Sequence, residues 1–137
     1  MQLIRIQGYI FMGISVLIAE DDENMLACLE FLMQHDGYQV LTARDGNETL
    51  ELVRQHQPQL LILNIIMPIK SGFEVCQEVR NQSSTPEYQP KILMLTAKNR
   101  ETDIAKGLAL GANAYMTKPF GIAELSQQVH ALLGAIA

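Results

Sequence analysis

The chain has 137 residues, enough for one domain with a sizeable core and short for two. Hydrophobic residues make up 48% and charged residues 18%, which excludes wholesale disorder. Fifteen acidic and ten basic side chains leave a formal charge of -5, so direct nucleic-acid binding, which rests on neutralising phosphates with Lys and Arg, is not expected.

The run YIFMGISVLIA, Tyr9 to Ala19, is apolar but well short of the ~20 residues that a membrane helix needs. As a signal-peptide core it would have only Arg5 before it and no small-x-small cleavage site after it. No membrane association is expected. Residues 1–13 read as an N-terminal extension or arm. Met12 opens MGISVLIAEDD, so residues 1–11 reflect either start-codon choice or a short extra strand. Residues 14–137 read as the main domain.

Ile14 to Ala19 is a β-branched and apolar run interrupted only by Ser15, as expected of a strand buried on both faces of a parallel sheet. It ends in Glu20, Asp21 and Asp22. Met25, Leu29, Leu32 and Met33 then repeat with helical spacing, and Gly37 suits a left-handed cap. Tyr38 to Ala43 reads as a second strand. After a turn at Asp45-Gly46, a helix capped by Asn47 runs through Leu50 and Val53 until Pro58 stops it.

Leu60 to Leu63 is a third, wholly apolar strand that ends at Asn64, with Pro68 and Gly72 punctuating the loop that follows. GFEVCQEVR carries Phe73, Cys76 and Val79 on one helical face, and NQSSTPEYQP reads as a loop. KILMLTA is a fourth strand. ETDIAKGLALGA is a fourth helix, weakened at Gly107 by roughly 1 kcal/mol relative to Ala. NAYMTK is a fifth strand, followed by Pro119 and a last amphipathic helix over residues 121–137.

Five alternations of strand and helix imply right-handed crossovers and a parallel sheet covered on both faces. Function then gathers at the carboxyl ends of the strands. Those ends carry acids (Glu20, Asp21, Asp22), an amide (Asn64), a hydroxyl (Thr96) beside Ala97, and an ammonium (Lys118) before Pro119. Singly these read as a solvated helix start, a backbone cap and a surface lysine; together on one rim they point to a site. Cys28 and Cys76 lack metal-ligand spacing and read as small buried hydrophobes, in keeping with a reducing cytoplasm. His35, His56 and His130 fall on helix ends or faces, away from the rim.

The segments VLIAEDD, PQLLILNIIMP, SGFEV, KILMLTA and GANAYMTKPF, in this order and at these intervals, resemble the receiver domains of two-component response regulators. The resemblance covers the chain from about Ser15 to the end of the last helix. It implies a flavodoxin-like, doubly wound α/β fold with a five-stranded parallel sheet of order 2-1-3-4-5 and five flanking helices. The handedness and strand order belong to a general class of open sheets.

The resemblance also implies roles. An Asp at the end of the third strand would accept a phosphoryl group from a sensor histidine kinase or phosphotransfer protein. Glu20 and Asp21, with the backbone carbonyl of Ile66, would hold Mg²⁺. Thr96 would bond a phosphoryl oxygen, Ala97 would leave room for it, and Lys118 would pair with the acceptor. Tyr115 matches the aromatic whose rotation reports the state of the site, and Lys118–Pro119 would be a cis peptide bond.

At the acceptor position this chain has Asn64. A neutral amide oxygen, its lone pair drawn into resonance, is not a nucleophile for phosphorus. Conventional phosphorylation is therefore not expected, and Mg²⁺ binding is expected to be weakened, with the Asn64 side chain as a remaining ligand.

The leading expectation is a non-enzymatic, stand-alone receiver module in phosphorelay signalling. It would act through protein–protein contacts with a kinase, phosphotransfer protein or downstream effector. Its face would be the fourth helix, fifth strand and fifth helix, about 102–133, as a monomer or weak homodimer. Two alternatives stand beside it. One is an ordinary phospho-accepting receiver carrying an engineered Asp-to-Asn change. The other is a metal-dependent phosphohydrolase or small-ligand binder on the same fold, using Asp21 or Asp22.

Overall fold

The computed structural model describes the backbone of residues 2–6, 9–82, 87–97 and 100–134, and side chains within that set from residue 13 onward, except residue 82. Seven strands and five helices follow in the order β1 (Gln2–Ile6), β2 (Tyr9–Gly13), β3 (Ser15–Ala19), α1 (Glu23–His35), β4 (Gln39–Ala43), α2 (Gly46–His56), β5 (Leu60–Asn64), α3 (Gly72–Gln82), β6 (Lys91–Ala97), α4 (Glu101–Ala109), β7 (Ala114–Lys118) and α5 (Ile122–Leu133).

β3 to β7 form one parallel sheet in the order β4-β3-β5-β6-β7, the 2-1-3-4-5 order that the resemblance implies. Its inner strands are apolar except at their ends because helices cover both faces. Leu17, Ala19, Leu61, Leu63, Ile92 and Met94 point to the face packed by Leu50 and Val53 of α2 and Val75, Cys76 and Val79 of α3. Val16, Ile18, Leu60, Ile62, Leu93 and Leu95 point to the other face, packed by Leu26, Leu29 and Met33 of α1 and Leu125, Val129 and Leu133 of α5. β1 and β2 pair antiparallel with each other, outside this sheet.

The first three helices start at side-chain caps, while α4 and α5 have no side-chain cap bond. Asp22 caps α1 by accepting from the Met25 amide at 2.9 Å. α2 is capped by Asp45, which accepts from the Glu48 amide at 2.8 Å, and not by Asn47: the helix begins one residue before Asn47, at Gly46. Ser71 and Glu74 form a capping box at α3, Ser71 Oγ accepting from Glu74 N and Glu74 Oε1 from Ser71 N, both at 3.2 Å. Gly37, with φ 96°, follows the end of α1.

Gly107 has a steric reason for its place in α4: a Cβ there would lie 2.7 Å from Met94 Sδ, so the glycine lets α4 approach β6. α4 ends at Ala109, three residues short of the expected span. Cys76 is buried, and burial pushes its thiol pKa up. Cys28 is exposed, on the solvent side of α1, contrary to the expectation that both thiols are buried. The apolar pattern of α1 is broader than the stripe it buries.

Tyr88 donates its hydroxyl to the Pro58 carbonyl at 2.9 Å, and burial raises its pKa above the ordinary 10.0. A raised native pKa contributes stability that is intact below the unfolded value and lost as pH climbs past it. Tyr88→Phe should therefore flatten the alkaline limb of a urea-stability profile above about pH 10, the ordinary tyrosine range, while the parent chain loses stability there.

Candidate functional site

The sheet register assembles the rim. Ala19 lies beside Leu63, so the next residues, Glu20 and Asn64, emerge side by side. Asn64 pairs with Leu95, and Ala97 pairs with Lys118. Gly72 lets α3 close against this edge: its amide donates to Ile65 O at 2.8 Å, and a Cβ at 72 would lie 2.6 Å from the Asn64 carbonyl. The Lys118–Pro119 bond is cis.

One hydrogen-bond network then joins Glu20, Asp21, Asn64, the Ile66 carbonyl and Lys118. Asn64 Nδ2 donates to Glu20 Oε2 at 2.6 Å, to Ile66 O at 2.8 Å and to Asp21 Oδ1 at 3.2 Å. Lys118 Nζ donates to Glu20 Oε1 at 2.8 Å and to Asn64 Oδ1 at 3.1 Å. Glu20 is fully buried, with an ammonium on one carboxylate oxygen and an amide on the other. The orientation of the amide follows from charge. Reversed, its oxygen would face two carboxylates and a carbonyl, and its NH₂ would face an ammonium.

These residues line the floor of a cleft of about 410 Å³. Thr96 and Ala97 line it too, although the Thr96 hydroxyl turns to the Ala97 carbonyl at 3.5 Å, a long contact. Tyr115 stands apart: it is 42% exposed and borders a narrow crevice between β6, β7 and α4 that Thr96 shares. Arg100 and Asp103 also line the cleft and pair with each other at 2.7 Å, closing one wall. Sequence reasoning missed them; the available signal was a cation four residues beyond Thr96 at a helix start.

Hard oxygens suited to Mg²⁺ are present in Glu20, Asp21 and the Ile66 carbonyl. As arranged, however, they converge on the NH₂ of Asn64, whose own oxygen faces Lys118. The amide thus stands among the oxygens with its donors toward them, and the residues as they stand do not fit a cation. Among the described residues no group of three or more His, Cys, Asp or Glu side chains is gathered as a metal site.

The family model "Response regulator receiver domain" matches residues 16–130. A curated relative, the alkaline phosphatase synthesis transcriptional regulatory protein PhoP of Bacillus subtilis (strain 168), is 39% identical over 122 residues. That alignment takes in 89% of this chain and 49% of PhoP, so the chain spans about half the length of this relative. Among solved structures, chemotaxis protein CheY4 of Vibrio cholerae aligns with a TM-score of 0.81 at 30% identity, over 89% of this chain and 100% of that one. The receiver domain of sensor histidine kinase PA1611 from Pseudomonas aeruginosa PAO1, described with magnesium coordinated in its active site cleft, aligns with a TM-score of 0.79 at 26% identity, over 90% of this chain and 99% of that one. With the five-stranded order and the match over residues 16–130, the chain belongs to the response regulator receiver domains of two-component signal transduction.

Proposed function

We propose that this receiver signals by contact with partner proteins and does not take up phosphate at residue 64. The observation that supports this is the Asn64 carboxamide, held by three acceptors and by Lys118. It carries no anionic lone pair to attack phosphorus. Its NH₂ also hydrogen-bonds the buried Glu20 carboxylate that an acceptor Asp would repel. In this reading Mg²⁺ binds weakly, because it must first turn the amide against Lys118 and it gains no third carboxylate.

Receiver domains meet histidine kinases and effectors in two-component systems, and here the surface over 102–133 is offered for that contact. Leu108, Tyr115 and Ile122 on it are 44%, 42% and 63% exposed, more apolar area than sheet-covering helices need to show. A ligand shifts a two-state domain only by its differential free energy for the two states. Without phosphate, that difference must come from the partner itself. The test is incubation with acetyl phosphate and Mg²⁺ followed by intact-mass measurement. No phosphoryl adduct is expected, and a stoichiometric adduct on residue 64 would refute the proposal.

A further inference from the structure

The loop between β5 and α3 carries a feature that the site does not use. The Lys70 amide donates to Pro68 O at 2.8 Å, and Ile69 between them has φ 70°. This three-residue turn with a positive central φ is the rare, strained form of γ-turn, and a β-branched residue is a poor fit for it. The Ile69 side chain gains little burial in return, being 67% exposed. Glycine or asparagine would hold the same turn more easily. Ile66, three residues earlier on the same loop, is also 67% exposed and lines the cleft.

The surroundings of this apolar pair are acidic. Asp21 and Asp22, both exposed, line the same cleft as Ile66. The Gly46 amide donates to Pro68 O at 3.3 Å, which brings the start of α2, with exposed Glu48, against the turn. Nearby cations are engaged: Lys70 Nζ pairs with Glu78 at 2.8 Å, and Arg44 lies 3.7 Å from Glu23.

We propose that Ile66 and Ile69, within this acidic collar, dock a partner segment that offers apolar side chains flanked by Lys or Arg. Burial of exposed isoleucines supplies the attraction, and the collar selects the charge. The same collar disfavours a second copy of this chain, whose matching patch would bring like charges together. The inference builds on the contact-only function above and names a partner chemistry for the edge beside Asn64.

The probe is a synthetic amphipathic helical peptide with leucines on one face and Lys and Arg along its borders. Two controls carry Glu at the borders, or Ser in place of Leu. Backbone amide shifts of the full chain are followed by NMR. The expected result is a response confined to about 20–24, 45–48 and 65–72 with the basic apolar peptide, and none with either control. Ile69→Asn should weaken that binding about tenfold, as an interface anchor would, while raising Tm by about 3 °C through relief of strain. A merely structural Ile69 would not move the two readouts in opposite directions.

Absence of binding, shifts that fall instead on 102–133, self-association through the loop, or an Ile69→Asn variant that binds unchanged would each overturn the docking proposal. None of these outcomes touches the phosphorylation assay, so the reading of Asn64 stands or falls separately.

Discussion

Asn64→Asp should bind Mg²⁺ more tightly than the parent chain and take up one phosphoryl group from acetyl phosphate. The new carboxylate stands where three oxygen ligands already converge, the side chains of Glu20 and Asp21 and the Ile66 carbonyl. A unit charge about 4 Å from a divalent ion is worth about 2 kcal/mol even at the dielectric constant of water, which is more than tenfold in affinity. Lys118, already 3.1 Å from the Asn64 oxygen, would meet the acceptor carboxylate.

Without Mg²⁺ the same variant should be less stable. It loses the two N–H donors that serve three acceptors, two of them carboxylates, and crowds a third anion against Glu20. A loss of about 2 kcal/mol is expected. Thermal unfolding with EDTA and with Mg²⁺ reads this directly: the variant should melt below the parent chain in EDTA and regain stability on adding metal, while the parent barely responds. Equal Mg²⁺ affinities for the two chains would contradict the account.

Lys118→Met tests the other half of the network. Glu20 is wholly buried, and its ammonium partner lies 2.8 Å away with only 27% of the lysine side chain exposed. Removing one partner of a buried pair leaves an uncompensated charge and typically destabilises by about 3 kcal/mol. Chemical denaturation should show this loss. The double variant Glu20→Gln with Lys118→Met should recover a good part of it, because the orphaned charge is gone; a double variant as unstable as Lys118→Met alone would show that lost packing, not charge, sets the effect.

Most of the sheet was legible from periodicity. The strand over Lys91–Ala97 has the expected boundaries, and the other strands of the sheet differ by a residue at one end, because continuous apolar runs between turn residues leave little choice of register. Local side-chain chemistry was harder to read. Ser71 and Glu74 have the spacing of a capping box, yet Pro68 and Gly72 draw attention as loop punctuation. Asp45 and Asn47 are both good caps, and the Glu48 amide goes to Asp45; the close approach of Lys70, which leaves a Cβ no room, explains why the first residue of α2 is glycine.

At the rim, the sequence placed the polar groups on one edge but could not give the direction of the Asn64 amide. That direction depends on the charges of Glu20, just past β3, and Lys118, at the end of β7, 44 residues before and 54 residues after it. The strain at Ile69 was invisible for a similar reason: an isoleucine after proline carries no local signal for a positive φ. Cys28 escaped because helical spacing tells which residues share a face, not how wide a stripe the sheet will cover.

The position of β3 has a consequence for synthesis. It is the first strand of the main sheet to be made, and its parallel neighbours β4 and β5 begin only at Gln39 and Leu60. Neither neighbour can be reached by a tight hairpin, so the apolar run Val16–Ala19 must wait for tens of residues to leave the ribosome. During that interval α1, with its own cap at Asp22, is the nearest cover for Val16 and Ile18. Slowing translation between residues 36 and 60 would lengthen the window in which nascent chains can aggregate.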